Sequence, residues 1–147
     1  MAAFAALLQD KGRLLALDVG SRTIGLAVAD TGWQFASPVR VLHRTRFTND
    51  ARELLQYAAS EDIFGFVIGL PLNMDGTQGK RAQASRAFAS NLSRLDGRPI
   101  LLFDERLSTF EGKERAVTAN AGVRIDHHAA AVFLEGALKA LAQLRAG

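Results

Sequence analysis

The stretch Arg13-Leu-Leu-Ala-Leu-Asp-Val-Gly-Ser-Arg-Thr-Ile-Gly-Leu-Ala-Val-Ala-Asp30 decides how the rest of the chain is read. Residues 14–19 are apolar except for Asp18, and residues 24–29 are apolar except for Gly25. Between them Gly20, Ser21 and Arg22 supply turn chemistry with a cation in it, so the stretch reads as two strands of a hairpin. A continuous apolar run suits a strand covered on both faces, and therefore a central one. An ionisable aspartate at the inner end of such a strand is costly to desolvate unless a positive group meets it. Arg22, a metal ion and a phosphate-bound cation are the candidates, and the chain can be searched for carboxylates that would share a metal with Asp18.

Composition bounds that search. A chain of 147 residues suits one domain over 1–147, and 48% hydrophobic content with three prolines indicates a compact fold rather than disorder. The absence of cysteine excludes disulfides, thiolate metal sites and cysteine nucleophiles. The apolar start, residues 1–8, has no positive region before it, and no apolar run reaches the ~18 residues of a membrane helix. A cytoplasmic protein with no membrane partner is expected. Of the 18 basic residues 14 are arginine, whose planar fork suits phosphate, and the net charge of +3 permits nucleic acid as a partner without demanding it.

Working outward from the hairpin, Trp33 to Leu42 reads as a third strand, antiparallel to the second, with Pro38 marking an edge position or a bulge. The basic segment His43 to Arg46 is expected to leave the sheet as an exposed loop. A helix capped by Thr48 or Asn49 follows, with Leu54, Leu55, Ala58 and Ala59 as its apolar stripe. Ile63 to Leu70 is a second buried strand, reached by a helical crossover and so parallel to the first. The loop Pro71 to Gly79 at its carboxyl end is a common place for a ligand. Lys80 to Leu95 is a helix with Ala84, Phe88 and Leu92 on its apolar face. Lys80 and Arg81 stand at its start, where the dipole disfavours cations, which suggests that they meet an anion such as phosphate. Pro99 to Phe103 is a last strand running into Asp104-Glu105-Arg106. A helix capped by Ser108 or Thr109 is expected to reach about Asn120, with Glu111 near its first turn, and a final helix starts near Asp126. The sum is a mixed α/β sheet of five strands, three antiparallel and then two parallel, flanked by helices.

Acidic residues fall at element ends: Asp18, either Asp104 or Glu105, and Asp126. Parallel neighbouring strands would place the first two at one edge of the sheet, and the final helix could bring Asp126 there. Mg²⁺ takes oxygen ligands, and paired ions promote phosphodiester hydrolysis, so a metal-dependent site is the chemical hypothesis. His43, His127 and His128 have no zinc-like spacing.

The blocks Leu17-Asp18-Val-Gly20-Ser-Arg22, Gly69-Leu-Pro71-Leu-Asn73-Met-Asp75-Gly76, Asp104-Glu105-Arg106-Leu107-Ser108-Thr109 and Arg124-Ile-Asp126 together resemble the YqgF/RuvX family, in the right order over residues 16–134. The resemblance implies an RNase H-like fold related to the Holliday-junction resolvase RuvC, and phosphodiester hydrolysis dependent on Mg²⁺ or Mn²⁺. By motif position Asp18, Glu105 and Asp126 inherit the metal-binding and catalytic roles. Arg22, Lys80, Arg81 and Arg106 would meet nucleic-acid phosphates. Family members are described as nucleases of the pre-16S rRNA 5′ end or as junction resolvases, so precursor rRNA and branched DNA are the two expected partners. A resolvase is expected to be a symmetric homodimer, whereas an RNA-processing nuclease need not be. Ser108 stands where the family often has Thr, and His127-His128 where it often has small residues. Two other readings remain: a non-catalytic nucleic-acid or ribosome-assembly module, and an actin-like nucleotide-binding domain.

Overall fold

A computed structural model describes residue 4, residues 12–107 and residues 126–146, with side chains in the last helix for 129–144. The elements are β1 (Arg13–Val19), β2 (Thr23–Ala29), β3 (Ala36–His43), α1 (Phe47–Ser60), β4 (Ile63–Leu70), α2 (Lys80–Leu95), β5 (Ile100–Asp104), a single 3₁₀ turn (Glu105–Leu107) and α3 (Asp126–Ala146). The strands form one sheet in the order β3-β2-β1-β4-β5. β3, β2 and β1 are antiparallel, while β1, β4 and β5 run parallel through helical crossovers. This is the mixed, helix-flanked sheet of three antiparallel and then two parallel strands that the hairpin and the crossovers predict. The expected helix from Ser108 or Thr109 to Asn120, with Glu111, lies outside the described residues.

Alternation along the strands divides the apolar side chains between two layers. Leu15, Leu17, Phe66 and Ile68 pack under α1 and α2 with Leu54, Phe88 and Leu92. Leu14, Ala16, Val67 and Phe103 pack under α3 with Phe133, Leu134 and Leu138, and Phe4 joins that layer. Residues 14–17 are wholly shielded, as a strand covered on both faces requires.

Several local expectations change. β3 begins at Ala36 rather than Trp33, because Asp30 ends the hairpin: its Oδ1 accepts the backbone N–H groups of Gln34 and Phe35 at 2.8 and 2.9 Å. Those bonds hold its carboxyl below the usual aspartate range, led by the bond from Phe35. Trp33 takes a left-handed backbone (φ 57°) and is buried, its Nε1 donating to the Gly12 carbonyl at 2.8 Å, while Phe35 is turned to solvent. The register of β3 slips opposite Leu26 and Ala27, beside Pro38, which gives the expected bulge on an edge strand. His43 remains in the strand. α1 is not capped by Thr48 or Asn49, which lie inside its first turn; instead buried Asp50 reaches back to the Thr45 N–H at 3.0 Å. The stripe of α1 is Ala51, Leu54 and Ala58, with Ala59 exposed. That of α2 is Ala82, Ser85, Phe88, Ala89 and Leu92, with Ala84 exposed. In both helices most of the expected stripe packs on the sheet, Leu54, Leu55 and Ala58 in α1 and Phe88 and Leu92 in α2, and other small residues rather than Ala59 and Ala84 complete the face.

Candidate active site at the carboxyl edge of the sheet

The three parallel strands set the site by register. Leu17 lies opposite Ile68, and Ile68 opposite Leu102; one residue further, Gly69 lies opposite Phe103. Continuing β1 by one residue brings Asp18 to the level of Gly69. Asp18, Gly69, Phe103 and, two residues on, Glu105 therefore share the sheet face that α3 covers. Asp18 occupies the last-but-one position of β1 with its side chain 12% exposed. Glu105 opens the 3₁₀ turn after β5, and its Oε2 is shielded from solvent.

Gly69 is what lets these groups approach. A Cβ on Gly69 would stand 2.6 Å from Cε2 of Phe133 and 2.9 Å from Oε2 of Glu105, closer than real Cβ contacts occur. The ring of an α3 residue and the Glu105 carboxylate thus share the space over a bare stretch of β4. Gly69 lies in the block Gly69 to Gly76, whose resemblance implies no role for it. A glycine inside an apolar strand is itself a signal of close approach.

The two neighbouring acids of the third block part ways. Asp104 is clamped by Arg106, which donates from Nε at 3.0 Å and from Nη2 at 2.7 Å, while the Arg106 backbone N–H also reaches Oδ1. This fork holds the Asp104 carboxyl below its usual range, chiefly through the side-chain hydrogen bond. Nη1 of Arg106 also donates to the Met74 carbonyl at 3.3 Å and so ties the turn to the loop after β4. That loop is internally braced: the hydroxyl of Thr77 donates to Asp75 at 2.7 Å and accepts from Asn73 at 2.9 Å. Gly76 completes it at φ 88°.

Arg81, at the second position of α2, places Nη2 3.4 Å from Oδ1 of Asp18. The anion that its position at the helix start calls for is therefore Asp18 within the protein itself. Arg22, one of the candidate partners for Asp18, is instead exposed at the turn, where its carbonyl accepts the Arg44 N–H at 2.8 Å. Lys80 is exposed at the same edge. Asp126 supplies the first residue of α3, and its side chain, like those of His127 and His128, lies outside the described residues.

The segment expected to be an exposed loop carries a brace. Arg44 donates to the Gly20 carbonyl at 2.8 Å, lies 3.7 Å from the Asp50 carboxylate and sits over the Phe88 ring at 5.6 Å. It joins the β1–β2 turn to both helices of that layer. Basic residues between a strand and a helix gave no sign of this.

Among the described residues no three metal-ligating groups cluster. The carboxylate oxygens of Asp18 and Glu105 at this edge, with no sulfur among them, are of the kind that suits a hard divalent cation.

The family model that matches, over residues 12–140, is RuvX, described as Holliday junction resolvase. A curated protein of Rhodopseudomonas palustris strain TIE-1 is 52% identical over 141 residues, covering 92% of this chain and 88% of the relative. One of Sphingopyxis alaskensis is 47% identical, covering 94% and 93%. Both are named, provisionally, as pre-16S rRNA nucleases. Among solved structures, Thermus thermophilus RuvC in complex with a Holliday junction matches with a TM-score of 0.61 at 14% identity, covering 87% of this chain and 94% of that one.

Proposed function

From the membership of this chain in the RuvX family, we propose that it is a divalent-metal-dependent nuclease that hydrolyses phosphodiester bonds at the 5′ end of precursor 16S rRNA. The observation that carries this reading is the placement of Asp18 and Glu105 on one sheet face, either side of the bare Gly69. Precursor rRNA is preferred because relatives near 50% identity over almost the whole chain bear that name. Branched DNA is the second reading, favoured by the description of the family model.

Asp18, Glu105 and Asp126 would hold Mg²⁺ or Mn²⁺. Such an ion supplies Lewis acidity and a water made nucleophilic at neutral pH. The chain's own groups do the rest. β1 and the turn after β5 fix two carboxylates from rigid elements, and the α3 layer keeps the floor of the site dry around Phe133. Arg22 and Lys80 stand exposed at the edge where a phosphate backbone would approach. Arg106, spent on Asp104 and the Met74 carbonyl, holds the neighbouring loop in place and faces phosphate as part of that clamp.

The test is cleavage of a labelled precursor-rRNA 5′ leader and of a four-way DNA junction, with Mn²⁺, Mg²⁺ or chelator. Wild type is compared with Asp18→Asn and Glu105→Gln. Metal-dependent cutting of the RNA, lost at least a hundredfold in either variant while each remains folded by circular dichroism, is the expected result. Paired, symmetric nicks confined to the junction would transfer the assignment to a resolvase. Undiminished cleavage in Asp18→Asn would remove the proposed site altogether.

A further inference from the structure

Arg81 occupies an unfavourable place for a cation. It sits in the first turn of α2, where the helix dipole opposes positive charge, and its side chain is 61% exposed. Its partner Asp18 is 12% exposed and lies on the sheet face under α3. The contact between them is a single 3.4 Å approach, longer than the 2.7–2.9 Å usual for a charge-assisted bond. By contrast Arg106 grips Asp104 through two nitrogens at 3.0 and 2.7 Å. The two arginines at this edge are thus held very differently: Arg106 is fastened, and Arg81 is only leaning.

We infer that Arg81 is a removable counter-ion for Asp18, which balances the carboxylate while no metal is bound and transfers to a nucleic-acid phosphate once a divalent cation takes its place. The inference rests on the metal-site reading of Asp18. A cation carrying two charges at Asp18 repels a guanidinium within a few ångströms and outcompetes its single charge for the carboxylate. Arg81 has little to lose on release, since an exposed ion pair with one long contact contributes weakly. Its Cα stays fixed on α2 at the same edge, so the freed guanidinium remains where the phosphate must lie to be attacked.

Two measurements on the full-length protein separate this inference from the reading beneath it. Mn²⁺ binding by calorimetry, without nucleic acid, is compared for wild type, Arg81→Gln and Asp18→Asn. Removal of a competing cation should tighten Mn²⁺ binding by Arg81→Gln about two- to fivefold, the worth of an exposed ion pair. Asp18→Asn should weaken it at least tenfold. The second measurement is the salt dependence of binding to a four-way DNA junction, a probe that every arm of the test shares, in Ca²⁺ and in chelator. In Ca²⁺, Arg81→Gln should reduce the slope of log K against log salt by about 0.9, one phosphate contact. In chelator the slope should not change. Mn²⁺ affinity equal to or weaker than wild type in Arg81→Gln overturns the counter-ion role, and an unaltered slope in Ca²⁺ overturns the transfer. Mn²⁺ binding that ignores Asp18→Asn overturns the metal site itself.

Discussion

A missing methyl group at Gly69 shapes the candidate site as much as any charged side chain does. Gly69→Ala places a carbon 2.6 Å from the Phe133 ring and 2.9 Å from a Glu105 oxygen, so one or both must move. We expect a loss of about 1–3 kcal/mol in urea unfolding, the usual range for overpacking, together with a large fall in cleavage. Phe133→Leu in the same chain should recover part of the stability but not the cleavage, because the carboxylate stays displaced. Full recovery of both would show that Glu105 is indifferent to Gly69. At this scale the sequence was partly legible. Asp18 declared itself by interrupting an apolar strand, and Glu105 was separated from Asp104 only by motif position, since both are acids at a strand end. The structure gives the physical difference: Asp104 is consumed by Arg106, and Glu105 turns under α3. The counter-ion of Asp18 was not legible, because Arg81 is remote from it in sequence and meets it only through the fold.

The elements that carry these residues are held by polar contacts more than their apolar stripes suggest. At the start of α1, Asp50 accepts from the Thr45 N–H and hydroxyl and lies beside Arg44 while almost fully buried. Asp50→Ala removes the acceptor for these donors and should lower unfolding stability by about 1–3 kcal/mol, with Asp50→Asn costing less. Equal stability of wild type and Asp50→Ala would contradict this role. The 3₁₀ turn has its own pH dependence. Arg106 holds the folded pKa of Asp104 below 3.8, so the pair's contribution is complete above that value and is lost as pH falls through the lowered one. The stability difference between wild type and Arg106→Ala should therefore be steady from pH 7 to 5 and shrink below about 3.8 in acid titrations of unfolding. Periodicity placed α1, α2 and α3, yet Ser85 is buried in α2 where Ala84 was expected. Hydropathy does not rank two such small residues, and sheet packing decides between them. Asp30 defeated the strand expectation at Trp33 in the same way, by a backbone-capping habit that apolar patterning cannot register.

At the scale of the whole molecule, strand order and direction followed from connection lengths: a short turn for antiparallel pairing, a helix for each parallel step. What was not legible was how the layers divide the labour. The α1–α2 layer carries the Arg44 brace, and the face under α3 carries Asp18 and Glu105. If the site holds metal in the folded state alone, Mn²⁺ must stabilise the whole chain, by ~2.7 kcal/mol at a hundred times its dissociation constant. Thermal unfolding should shift upward with Mn²⁺ in wild type, return on adding chelator, and shift by no more than about half as much in Asp18→Asn. The covering of that face by α3 also has a consequence in time. Translation delivers β1 roughly a hundred residues before Phe133, and pairing across such separations is the slow part of folding. Until α3 emerges, Ala16, Val67 and Phe103 lack Phe133, Leu134 and Leu138 against them. A nascent chain still threaded through the ribosome therefore presents that face of the sheet before the helix that packs on it.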